Sequence, residues 1–273
     1  MQDVVRFWLD RGADGFRLDA IDRLVKDAQL RDNPPATEPF PFPERPEAAR
    51  QDQIYSRHRP ETIDALRALR EAVGDAFLIG EVFQPTREYP PYLSVLDSVF
   101  CFELLFAPWD AERLRAAIEP ALELERVAWV MSNHDFDRLA TRLGEEHVGD
   151  AATLLLTLPG ITFVYQGDEI GLPNGPGHEP PFDRAGRDPM RHPMQWDASP
   201  NGGFTTGEPW LPAIDPQERN VEAQRADEDS LLHEYRRLIA HRRELPRDFR
   251  FLQAGPGELR FERGGETHTV VTG

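Results

Sequence analysis

The chain has 273 residues, 40% of them hydrophobic and 29% charged, enough to bury a sizeable core in one or two domains. Its 48 acidic residues against 31 Lys and Arg give a formal charge of −17, which repels phosphate backbones and excludes nucleic acid as an expected partner, whereas a neutral ligand meets no such penalty. No apolar run approaches the roughly 20 residues that span a bilayer, the start Met1-Gln2-Asp3 is no secretory signal, and Cys101 alone cannot form an internal disulfide. The expectations are no membrane partner, a cytoplasmic address in a reducing compartment, and Cys101 as a buried small hydrophobe.

In chain order, Val4, Val5, Phe7, Trp8 and Leu9 fall on a helix-like spacing that Gly12 stops. A short strand over Gly15–Leu18 follows, then a Pro-rich loop over Asn33–Pro46. Pro60 opens a helix that runs to about Val73. Buried strands are expected over Phe77–Glu81, Ser98–Phe102, Val127–Met131 and Ile161–Tyr165, with helices over Ala111–Ile118 and Ala151–Leu158. Residues 173–220, rich in Gly, Pro, Asp and Asn, form a long structured loop, and Ser230–Glu244 is a strong helix. The alternating runs Phe249–Gln253, Glu258–Arg263 and Thr267–Thr272 are expected as antiparallel strands of a small second domain. Five parallel strands fit either an open doubly wound sheet or part of an eight-stranded barrel, and periodicity does not choose between them.

Three of these strands lead into an acidic residue: Asp19, Glu81 and, just past Ser132-Asn133-His134, Asp135. A lone Asp there is most often a helix cap or turn residue. Three in succession suit glycoside cleavage, because in a parallel barrel the C-terminal strand ends converge. One carboxylate attacks the anomeric carbon and a second protonates the leaving oxygen, the two standing roughly 5–5.5 Å apart in retaining enzymes. Arg17, two residues before Asp19 and on the same strand face, is placed to keep Asp19 ionised.

Gly15-Phe16-Arg17-Leu18-Asp19-Ala20, Gly80-Glu81-Val82 and Ser132-Asn133-His134-Asp135, in this order, resemble the fourth-, fifth- and seventh-strand motifs of the α-amylase superfamily, glycoside hydrolase family 13. Arg187-Asp188-Pro189-Met190-Arg191-His192-Pro193-Met194-Gln195-Trp196-Asp197 and Phe163–Gly171 resemble the loop and strand of the oligo-1,6-glucosidase and α-glucosidase subfamily. The resemblance implies α/β architecture: strands 4–8 of a (β/α)8 TIM barrel over residues 1–245, then the start of a small antiparallel β domain over 246–273. It makes Asp19 the nucleophile, Glu81 the acid/base and Asp135 the stabiliser of the transition state, with Arg17 and His134 on the glucose ring and Arg187 and Arg191 lining the pocket. Ala20, after the nucleophile, goes with α-1,4 rather than α-1,6 preference. Asp168 and Glu169 are expected to organise a loop, and Trp196 and Trp210 to serve packing.

The implied activity is exo-acting, retaining α-glucosidase action on short malto-oligosaccharides by double displacement. Alternatives are a transglycosylating relative, such as a trehalose synthase or sucrose isomerase, and a non-catalytic member of the superfamily. The departure Phe136-Asp137-Arg138 after the third motif puts the leaving-group subsite in doubt. The resemblance also implies that the family's first three strands lie upstream, so the chain reads as part of a longer protein and is expected to have little activity alone. No cofactor is assigned, and no metal; a family Ca²⁺ site would belong to the upstream part. The expected partner is a small oligosaccharide, and the expected state a monomer.

Overall fold

The structure, a computed structural model, describes residues 1–40, 42 and 46–272. The chain divides into two compact units, residues 1–106 with 116–129, and residues 107–115 with 130–273.

In the first unit a helix, Gln2–Leu9, leads through Gly12 in the left-handed region (φ +91°) to β1, Gly15–Leu18. Residues 24–60 are mostly irregular, as the density of proline requires; positions 41 and 43–45 of the expected Asn33–Pro46 loop lie outside the described residues. The helix Glu61–Val73 has Pro60 as its N-cap, turns Thr62, Leu66 and Val73 inward, and ends at Gly74 (φ +65°). It is pinned to β2, Phe77–Gly80, by Arg70, whose guanidinium bonds the Val95 carbonyl (3.0 Å), the Ala76 carbonyl (2.8 Å) and Asp97 (2.5 Å). Asp97 also takes the Leu78 amide (2.7 Å). These bonds satisfy otherwise buried polar groups at the start of the strand.

β3, Ser98–Cys101, is buried along its whole length, and β4, Val127–Trp129, follows the helix Ala111–Leu122. Leu78, Val99, Cys101, Ala128 and Trp129 are fully buried, as continuous apolar runs in a parallel sheet covered on both faces should be. β1 pairs with β2, β2 with β3 and β3 with β4, all parallel and in chain order. A doubly wound sheet reverses strand order at a switch point; these strands do not, which favours the barrel order.

Some boundaries differ from the sequence reading. Ser98–Cys101 stops one residue early because Phe102–Phe106 turns helical, an apolar run whose periodicity does not separate strand from helix. The helix expected to end at Ile118 continues through Pro120 to Leu122. Val127–Met131 shortens to Val127–Trp129.

Gly15 faces Phe77 across the β1–β2 pair, and a Cβ at Gly15 would overlap the Phe77 carbonyl. Backbone cannot yield as a side-chain tip can. Gly15→Ala is therefore expected to cost about 1–3 kcal/mol, read as a lower urea midpoint with an unchanged slope.

In the second unit the helix Val148–Thr157, which starts three residues before the expected Ala151, packs through Ala152 and Leu156 against Tyr235 of the helix Leu231–Arg242. Its last carbonyls have no intrahelical donors. Arg242 supplies them at Leu156 (2.7 Å) and Leu158 (2.5 Å), and Arg263 at Thr157 (2.7 Å). β5 is only Ile161–Thr162 instead of the expected five residues, since the chain then turns so that the Tyr165 hydroxyl reaches the Met190 carbonyl (2.8 Å). Among the described residues 173–220 contain no strand or α-helix and are organised around a small core of Ile170, Leu172, Met194 and Val221. β6, Phe249–Phe251, β7, Glu258–Arg263, and β8, Glu266–Val271, form the expected antiparallel sheet.

Candidate active site

The register Leu18↔Gly80 puts the next residues of β1 and β2, Asp19 and Glu81, at neighbouring C-terminal strand ends. The Glu81 amide continues the ladder to the Leu18 carbonyl (2.9 Å). Arg17 grips both carboxylates with one guanidinium: Nη1 donates to Asp19 Oδ1 at 2.7 Å and Nη2 to Glu81 Oε2 at 2.9 Å. A planar fork of fixed width can do this only if the two carboxylates are side by side.

The pair is electrostatically unequal. The Asp19 side chain is 73% exposed and that of Glu81 only 3%. Burial, then the hydrogen bond that protonated Glu81 donates to the Asp19 carboxyl group, and last the Asp19 charge, push Glu81 from its ordinary 4.5 up to about 7, against the pull of Arg17. Glu81 Oε1 is buried with no hydrogen-bond partner, which adds to the cost of ionising this carboxyl group. This is one solvated carboxyl group beside one buried group that holds its proton well above the ordinary carboxylate range.

Ala20 sets the position of Glu81 from the other side. It adopts left-handed backbone (φ +44°), unfavourable for a residue with a Cβ by roughly 1–2 kcal/mol. That conformation aims its N–H at Glu81 Oε2 (3.0 Å), while the Ile21 amide donates to the Glu81 carbonyl (3.0 Å). The strain thus sits beside the carboxyl group that it positions.

In the second unit Asp135 sits on a turn closed by Asn133, whose Oδ1 accepts the amides of Asp135 (2.8 Å) and Phe136 (3.1 Å). Its Oδ1 receives Arg187 Nη1 (2.6 Å) and Arg191 Nη2 (3.0 Å), and His134 Nε2 stands 3.4 Å away. Arg191 also binds the His134 carbonyl (2.9 Å). Four residues singled out from sequence, His134, Asp135, Arg187 and Arg191, therefore gather together, with the arginines as ion partners of Asp135. Behind the turn the Ser132 hydroxyl donates to Asp168, which complete burial pushes up to about 7.

Sequence reasoning missed Asp183. It takes Arg187 Nε and Nη2 (2.8 Å each) and the Arg187 amide (3.0 Å), and that fork holds its carboxyl well below the usual carboxylate range. The i,i+4 spacing was the available signal. It also missed Asp22, fully buried beside Arg57 (3.4 Å) and Gln84 (3.1 Å). Trp196 and Trp210, expected to serve packing, are 50% and 62% exposed, and the Trp210 ring lies 5.4 Å from that of Phe182. Among the described residues no group of three or more His, Cys, Asp or Glu side chains is placed to hold a metal ion, and no helix is long and apolar enough to cross a membrane.

Residues 1–248 match the alpha amylase catalytic domain. The chain belongs to the α-amylase family. It is 35% identical to a probable alpha-glucosidase of Rhizobium meliloti over 288 residues, covering 89% of this chain and 50% of that protein. Among solved structures, an alpha-glucosyl transfer enzyme superposes with a TM-score of 0.87 at 32% identity, covering 97% of this chain and 56% of that one. The trehalulose synthase of Pseudomonas mesoacidophila gives 0.82 at 25% identity, with 98% and 58% covered. This α-amylase-family chain thus spans about half the length of the relatives it matches. Its parallel strands belong to part of the family's (β/α)8 barrel and its antiparallel sheet to the C-terminal β domain, as the sequence motifs imply.

Proposed function

We propose that the protein is a retaining glycoside hydrolase of the α-glucosidase type, acting on short α-1,4-linked malto-oligosaccharides. The observation that carries this reading is the Arg17 clamp, which holds an exposed Asp19 beside a buried Glu81 whose pKa is pushed up to about 7. Asp19 attacks the anomeric carbon while Glu81 gives its proton to the departing oxygen; Glu81, now ionised, then takes a proton from the water that releases the sugar from Asp19. With a pKa of about 7, Glu81 serves as acid and as base near neutral pH. Arg17 offsets the charge that appears on Glu81 in the first step. By family likeness Asp135, held by Arg187 and Arg191, supplies the anion that favours the oxocarbenium-like transition state. Ala20 favours α-1,4 linkages by the same likeness.

Proton NMR during maltose turnover tests this reading: α-glucose appears before its β-anomer if configuration is retained, and β-glucose first would refute the double displacement. A second reading, transfer of glucose to an acceptor sugar, is favoured by the likeness to an alpha-glucosyl transfer enzyme. It predicts that disaccharide product exceeds free glucose when a second sugar is supplied.

A further inference from the structure

We propose that Asp22, buried with Arg57 and Gln84, is a positioning residue: it locks the turn after β1 so that the Ala20 N–H stays aimed at Glu81. The inference rests on the glycosidase reading above, and every residue in it belongs to the first unit.

The turn needs a lock, because Ala20 holds a backbone conformation that is unfavourable for a residue with a Cβ (φ +44°). The next two residues supply it. Ile21, 5% exposed, packs on β2 so closely that a Cβ at Gly80 would overlap its side chain. Asp22, fully buried, is held at three points. Its Oδ2 accepts Gln84 Nε2 at 3.1 Å and lies 3.4 Å from Arg57 Nε, while its carbonyl accepts the His58 amide at 2.6 Å. The holders are themselves fixed. Arg57, 3% exposed, reaches the Phe83 carbonyl (3.5 Å) and lies over the Phe40 ring. His58 also takes left-handed backbone (φ +51°), and its Nδ1 stands 2.9 Å from the hydroxyl of buried Tyr92. Phe83 and Gln84 lie just past Glu81 in the chain, so Asp22 ties the turn to the strand end that carries the acid.

Stability alone does not account for this pair. A buried ion pair recovers little beyond its own desolvation cost, and apolar side chains of similar size often serve as well. What apolar side chains lack is direction, and here the direction sets where the Ala20 N–H points.

Loss of the lock has a signature of its own. The Ala20 N–H favours the ionised form of Glu81, against burial and the bond to Asp19. Arg17 and Asp19 are the charged groups facing Glu81; Asp22 faces Arg57, with Lys26, Tyr89 and Tyr92 in electrostatic range. If Ala20 relaxes out of left-handed backbone, Glu81 loses a donor and holds its proton to higher pH. A site that merely loosened would admit water and move the other way, since burial is the largest cause of the raised value.

The test is a carbon-13 NMR titration of the protein labelled at its glutamate carboxyl groups, the Glu81 signal being identified by its loss in Glu81→Gln. Asp22→Leu/Arg57→Met removes both buried charges together and leaves neither unpaired. Its Glu81 midpoint should rise by about one pH unit over the parent, the scale of one hydrogen bond. Adding Ala20→Gly, which adopts left-handed backbone without penalty, should reverse most of that rise. Gln84→Met, which keeps the Asp22–Arg57 pair, should give a smaller rise and decides the matter if the double variant does not fold. An unchanged or lowered midpoint in the double variant, a rise that Ala20→Gly does not reverse, or no rise in Gln84→Met overturns the lock. If the unmutated protein turns over no α-glucoside yet the midpoints move as expected, the hydrolase reading fails and the lock stands.

Discussion

Glu81→Gln is expected to lower kcat/KM for maltose by about 10²–10⁴ while making the protein more stable at pH 8. The two effects share one cause. Glu81 is buried against Asp19 and carries its proton up to about pH 7, against 4.5 ordinarily. Between those values the folded chain binds more protons than the unfolded one, so stability falls as pH rises from about 4.5 to 7 and levels off above. At pH 8 the buried charge costs on the order of 2–3 kcal/mol, which the neutral amide avoids. Thermal melts at pH 4 and pH 8 check it. The variant should match the parent at pH 4, where both side chains are neutral, and exceed it at pH 8. Equal melting at pH 8 would show that Glu81 is not held protonated and would remove the acid from the proposed mechanism.

Asp19→Asn should remove turnover almost entirely, by roughly 10⁴–10⁶, the scale seen when a nucleophile is lost. It should also act at a distance on Glu81. The Asp19 carboxylate contributes to the raised pKa through its hydrogen bond and its charge, while Arg17 opposes it. Without that charge Arg17 pulls on Glu81 alone, and the pKa moves down. Burial is the largest cause, so the shift shrinks and does not vanish. The stability lost between pH 4.5 and 7 should therefore be smaller in Asp19→Asn than in the parent. The same loss in both proteins would mean that the two carboxylates do not communicate, which the shared Arg17 fork forbids.

The elements legible in the sequence were those whose local pattern has one solution. Glu258–Arg263 alternates cleanly and is the strand that was expected. Phe102–Phe106 is apolar throughout, and its helix was not separable from a continuing strand. The short helix Val221–Ala226 was missed although Asn220 caps it, its Oδ1 accepting the Ala223 amide (2.7 Å), a signal hidden by the irregular segment before it.

The sequence by itself nominated Asp19 and Glu81 as candidates, each following a short strand, and put Arg17 and Asp19 on one strand face; the register Leu18↔Gly80 then set the two strand ends side by side. Tertiary structure alone decided the surroundings of each. Protonation of Glu81 depends on desolvation by residues remote in sequence, the αL turn at Ala20 depends on a carboxylate 61 residues away, and the exposure of Trp210 depends on how the loop folds beneath it. Local periodicity reports which way a side chain points along its own element. The dielectric around it, and the charges that come to face it, exist only once the chain has closed on itself.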